Sequence, residues 1–205
     1  MTIAPGDIPD ILAAIGFIFV SWMQYNQYSK NKMVDLKIDQ YKSDLKNKSS
    51  KDAESAAMIY GQLWQALHDL KTDRVYIIQP HPSNVNRYLT ITMEVRKKGV
   101  SSMKPNMMAL PMSDIANFVS VLAKERWIRY NDISTELFDK QARAILVVAG
   151  VQSLSIHRLE NSDGKWIGNL VCEHTQKVCW DCLKCEKLMA ELAKTISPIL
   201  PDYEG

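Results

Sequence analysis

All four cysteines of this 205-residue chain fall between Cys172 and Cys185. Cys172-x-His174, followed by Cys179-x-x-Cys182-x-x-Cys185, brings soft ligands close together, as zinc or an iron–sulfur cluster requires. The spacing departs from the zinc pattern of two separated Cys-x-x-Cys pairs. On a helix, Cys179, Cys182 and Cys185 would repeat about once per turn, near Leu188, Met189 and Leu192. Buried cysteine there is an ordinary small apolar filler. The cysteines are therefore expected to be reduced and mostly structural. The alternative is a metal- or redox-sensing role for Cys172, His174, Cys179, Cys182 and Cys185. Their clustering also argues against a secreted disulfide framework and favours a reducing compartment.

Other chemistry has little support. There is no Gly-x-Ser-x-Gly elbow, Walker loop or His-Glu-x-x-His motif. His68, His81, His157 and His174 are scattered, so the chain is expected to be a non-enzyme without a cofactor. A net charge of +2, with dispersed basic residues, gives no footing for nucleic acid.

The elements that would carry these residues follow in order. Ile8 to Tyr25 has an uncharged core from Ile11 to Met23. It lacks the basic start of a signal peptide, is apolar all round, and has Trp22, Tyr25 and Tyr28 at an interfacial position. It is read as a membrane anchor in residues 1–25. Lysines follow it and none precedes it, so the amino terminus is expected outside and the rest in the cytoplasm, at an inner or plasma membrane. Residues 26–53 are expected to form a helical stalk or short coiled coil, with Val34, Ile38, Tyr41 and Leu45 as a heptad seam. The remaining unit, residues 54–205, opens with the amphipathic helix Glu54–Leu70. Strands are expected at Arg74–Gln79 and Tyr88–Arg96, followed by a methionine-rich loop over 97–112. A helix over Ser113–Glu125, with Ser113 as a possible N-cap, precedes a strand at Trp127–Ile133. A helix over Thr135–Ala149, a hairpin, and a last helix over Trp180–Ile196 complete the chain.

The hairpin is the most specific local signal. Val151–Glu160 and Lys165–His174 read as strands joined by a polar turn containing Asp163-Gly164. A helix closing on Gly150-Val151-x-Ser153, then Asp163, Gly164, Ile167, Gly168 and Leu170, resembles the C-terminal half of a GAF domain. The likeness extends over residues 55–198. It implies an α+β fold, a central antiparallel sheet flanked by helices. It also implies a pocket between one sheet face and the helices and loops that follow the second strand. Trp127, Tyr130, Asn131, Phe138 and Ser153 are the candidate ligand-binding residues, with the methionine loop as lid. The alternative is that they complete the core. No cysteine stands where tetrapyrrole-binding GAF domains attach their chromophore. Asn131, Phe138 and Asp139 only loosely echo the cyclic-nucleotide signature.

The resemblance also sets the first and last helices side by side. Met58 and Trp64 on one, with Trp180 and Leu188 on the other, form the expected contact of a homodimer. The chain is thus expected to be a membrane-anchored, non-catalytic regulatory or interaction module whose partners are the lipid bilayer, a second copy, an unknown protein and a possible small molecule. The alternatives are a structural assembly platform and a small lytic, holin-like membrane protein.

Overall fold

A computed structural model describes Met23 and residues 50–82, 85–180 and 182–203, with Cys182 described by its backbone alone. The Ile8–Tyr25 anchor, Met23 apart, and the Val34–Leu45 seam lie outside the described residues. The chain divides into two compact units, Met1–Lys51 and Asp52–Gly205. Among the described residues, no helix is long and apolar enough to cross a membrane.

The second unit is built on one antiparallel sheet. Its strands are β1 (Arg74–His81), β2 (Tyr88–Arg96), β3 (Leu110–Pro111), β4 (Trp127–Tyr130), β5 (Ser153–Glu160) and β6 (Trp166–His174). Their order across the sheet is β3-β2-β1-β6-β5-β4. The helices are α1 (residues 50–69), α2 (Ala116–Lys124), α3 (Ile133–Glu136), α4 (Lys140–Val148) and α5 (Cys182–Ile196). Successive side chains of a strand point to opposite faces, so each strand feeds two cores. Val75 and Ile77 of β1 join Ile59 and Leu63 of α1 and Met189 and Leu192 of α5. Tyr76 and Ile78 join Phe118 and Leu122 of α2 and Leu146 of α4.

The expected hairpin is present, and Asn161 organises its turn over residues 161–164. The Asn161 side-chain oxygen accepts from the Asp163 and Lys165 amides at 3.0 and 2.9 Å. Gly164 supplies the left-handed backbone (φ +73°) that closes the loop. Gly168 is needed for a different reason. A Cβ there would lie 2.7 Å from the Ile78 carbonyl oxygen on neighbouring β1. Gly168→Ala is expected to lower stability by about 1–3 kcal/mol through this overpacking. Gly61→Ala on the open side of α1, where an added Cβ meets nothing within 4 Å, should gain about 0.5–1 kcal/mol. Urea denaturation of the two variants checks both signs.

Three of the boundaries that differ from the expected elements bear on side-chain caps. The single helix expected over Thr135–Ala149 is broken, because Asp139 caps a new helix through the Gln141 and Ala142 amides, both at 3.1 Å. Its other carboxylate oxygen accepts from the Phe118 amide at 3.0 Å, at the start of α2. Ser113 therefore caps nothing; a 3-10 turn over Met112–Ile115 leads into α2. The strand expected to reach Ile133 stops at Tyr130, because Asp132 caps α3 through the Ser134 amide at 3.0 Å.

Candidate functional site

The face of the sheet under α2 and α4 is where the sequence resemblance places a pocket. It is filled. Tyr76, Ile78, Met107, Phe118, Leu146 and Ile156 help to enclose a void of about 10 Å³, roughly the minimum that admits one water. Met103 and Met107, from the loop after β2, are buried in this core. The loop is part of the packing and not a lid over a space.

At one end of the same face lies a buried charge network. Arg74 of β1 and Glu173 of β6 are direct register partners, both fully buried and ion-paired through the Arg74 Nε and a Glu173 carboxylate oxygen. Arg74 also donates to the Ser101 carbonyl at 2.9 Å and the Ala149 carbonyl at 3.1 Å. One guanidinium thereby ties the methionine loop and the end of α4 to the sheet. Tyr76 donates its hydroxyl to Glu173 at 3.0 Å. Glu94 accepts from the Ser102 hydroxyl and from the Met103 amide at 2.7 Å, which pins the same loop. Burial lifts the Glu173 carboxyl to about 7, against the pull of Arg74. Burial, reinforced by Glu173, pushes the Tyr76 phenol up. Sequence patterns do not show this network, because its members come from five separate segments.

The five candidate pocket residues do not converge. Trp127 and Ser153 face the α1/α5 side of the sheet, and Tyr130 packs on the α2/α4 side. Trp127 donates its indole N–H to the Ser155 hydroxyl at 3.0 Å. The Ser153 hydroxyl shares its one proton between the Asn131 and Gln176 carbonyls, at 2.9 and 3.0 Å, and accepts from the Val178 amide at 2.7 Å. The Asn131 side-chain oxygen accepts from the Trp180 amide at 3.3 Å. Ser153 and Asn131 thus hold the segment leading into α5, a structural task. Phe138 is 92% exposed beside the Asp139 cap and meets none of the others.

The cysteines are spread as well. Cys172 and Cys185 are buried under α5, where the Cys185 thiol lies 3.4 Å from the Ser155 hydroxyl. Burial pushes the Cys172 thiol up, which disfavours the thiolate that a metal needs. Cys179 is exposed, and His174 packs its ring on Trp180 at 4.8 Å. Among the described residues, no group of three or more His, Cys, Asp or Glu could hold a metal ion.

Of the candidate dimer residues, Met58 and Trp64 stand exposed on α1, Trp64 at 55%. Leu188 is half-buried against the core. Trp180 is only 4% exposed and unavailable to a second copy. It precedes α5 instead of riding on it, so its ring turns inward onto His174.

The fold is that of a GAF domain. A GAF domain of the receptor PixJ from Thermosynechococcus elongatus, in its blue-light-absorbing form, superposes with a TM-score of 0.59 at 14% identity, covering 72% of this chain and 88% of that one. A far-red cyanobacteriochrome photoreceptor superposes with a TM-score of 0.59 at 13% identity, over 82% of this chain and 99% of that one. A domain of a two-component sensor histidine kinase protein from Sinorhizobium meliloti 1021 gives 0.53 at 12% identity, over 69% and 87%. No family model and no curated protein matches the amino-acid sequence.

Proposed function

We propose that the chain is a membrane-anchored regulatory or interaction module with no catalytic activity, and that its GAF-like unit works through its outer surfaces. The filled α2/α4 face carries this reading. A void of about 10 Å³ leaves no room for a cofactor-sized molecule at the place where the fold would hold one. The similar solved structures include photoreceptors and a sensor kinase domain, which is in keeping with a regulatory role. The anchor rests on the apolar Ile8–Tyr25 segment and the lysines after it.

Self-association through α1 is part of the same reading. Trp64 and Met58 lie exposed on this helix, and Leu183 on α5 is 82% exposed. Covering a large aromatic is worth roughly 2–3 kcal/mol per copy, and tethering both chains to one membrane reduces the entropy lost on pairing. In isolated membranes, cross-linking of the full chain is expected to give a dimer that Trp64→Glu weakens at least tenfold. A strictly monomeric wild-type chain removes the self-association. A chain released from the membrane by alkaline carbonate removes the anchor.

A further inference from the structure

We infer that the groove between α5 and the β5–β6 hairpin is a binding site for a small amphipathic monocarboxylate. The groove has a volume of about 1040 Å³ and lies on the opposite side of the sheet from the filled face. Its existence follows from side-chain size. Along α5, Met189, Leu192 and Ile196 fill the core, while Ala190 and Ala193, the latter itself packed in that core, border the groove. Two small residues leave the space between the helix and the hairpin uncovered. The far wall is the tail after α5. It is held in place by Gln79, whose amide donates to the Pro201 carbonyl at 3.0 Å, and by Tyr203, whose ring meets that of His81 edge-on at 5.0 Å.

The lining has two chemically distinct parts. One is apolar, formed by Ile167, Ala190, Ala193 and Leu200. The other is a polar end made by His157 and Arg126. His157 is almost fully buried, and its Nδ1 lies 2.8 Å from the Arg158 carbonyl. A carbonyl only accepts, so Nδ1 carries the proton and Nε2 is left open. Arg126 makes no ion pair or side-chain hydrogen bond among the described residues. Arg158 is already engaged, by Glu160 at 3.3 Å and by the Gly164 carbonyl at 3.1 Å. A carboxylate beside Arg126 and Nε2, with its apolar body along the alanines, satisfies both parts.

Charge selects the class of anion. Among the residues lining the groove, Arg126, Arg158 and Lys194 stand against Glu160 and Asp202, and Glu186 also acts on His157, so a ligand carrying more than one negative charge is disfavoured. Lys194 also sits in the last turn of α5, where it offsets the negative end of the helix dipole. The head group therefore belongs at the Arg126 end. A dicarboxylate would push its second charge towards Asp202 or Glu160.

Binding is linked to a proton. Burial, helped by the Arg126 cation, holds the imidazole of His157 below its ordinary value, against the upward pull of the Arg158 carbonyl, Glu186 and Glu160. An anion at Nε2 favours the imidazolium, so binding takes up a proton and tightens as pH falls.

The test uses the full chain and 4-phenylbutyrate, followed by tryptophan fluorescence, since Trp127 is the register partner of His157. Saturable binding is expected, with a dissociation constant on the order of 1 mM or below for a ligand of this size. Affinity should rise several-fold from pH 8 to pH 6. Arg126→Glu, Ala190→Trp and the uncharged 4-phenylbutanol should each weaken binding at least tenfold, and His157→Gln should remove the pH dependence. Arg126 is exposed, so its variant keeps the test valid if His157→Gln fails to fold. No saturation, equal binding of the alcohol, or indifference to Arg126→Glu would each overturn the site.

Discussion

Arg74→Met is expected to cost about 3–5 kcal/mol of stability at pH 8, and clearly less at pH 5. The substitution leaves the Glu173 carboxylate buried without its cation, and breaking one side of a buried pair carries a penalty of this size. At pH 5 the orphaned carboxyl can take up a proton and escape most of that penalty. The wild-type chain has its own slope. The Glu173 carboxyl titrates at about 7 in the fold, against an ordinary 4.5. Between these values the folded chain keeps a proton that the unfolded chain has released, so stability falls as pH rises from about 4.5 to about 7. Below that window both states are protonated, and above it both are ionised. Glu173→Gln should flatten the slope. The double change Arg74→Met with Glu173→Leu should recover much of the single-variant loss, because two apolar side chains replace the pair without an orphan. Urea midpoints at pH 5 and pH 8 measure all of this. An Arg74→Met penalty of equal size at both pH values would show that the cost is lost packing and not an uncompensated charge.

Asp139→Ala should be the next most damaging change, at about 3 kcal/mol. An N-cap is worth about 0.5–2 kcal/mol, and Asp139 serves two helices at once, accepting from Gln141 and Ala142 on α4 and from Phe118 on α2. Its burial leaves no water to replace it. Asp132→Ala, which removes the cap of the one-turn helix α3 and its surface ion pair with Lys177, is the control and should cost clearly less. Thermal unfolding compares the two. Equal shifts would mean that the second helix gains nothing from the shared carboxylate.

Much of the architecture was legible from local pattern. The β5–β6 hairpin, the bounds of β2 and the stripe of α1 follow from alternation, turn residues and helical spacing, all confined to short windows. The break between α3 and α4 was not legible. Helix-forming residues run from Thr135 to Ala149, and Asp139 within them reads equally as a solvent-facing helix position or as an N-cap; its long-range bond from Phe118 adds to the cap on Gln141 and Ala142. The five candidate pocket residues do not converge, for a reason the sequence does contain. Trp127 and Tyr130 lie three residues apart on a strand, an odd separation, and so project to opposite faces. The cysteines sit close in sequence, yet Cys172 is on a strand, Cys179 on a loop and Cys185 on a helix. The ion pair of Arg74 with Glu173 has no local signature, since either residue alone reads as an exposed strand position.

The pairing of β1 with β6 also governs when the domain can be completed on the ribosome. Tyr76 and Glu173 are 97 residues apart in sequence. At roughly 5–20 residues per second, about 5–20 s pass between their appearances during synthesis. In that interval β1 can pair only with β2, and Arg74 must stay hydrated with its edge of the sheet open. An unpaired central edge is an invitation to pair with another nascent chain. Arrest of translation before β6 emerges should therefore leave a chaperone-bound, protease-sensitive chain, and protection should arrive in one step once Glu173 has cleared the exit tunnel.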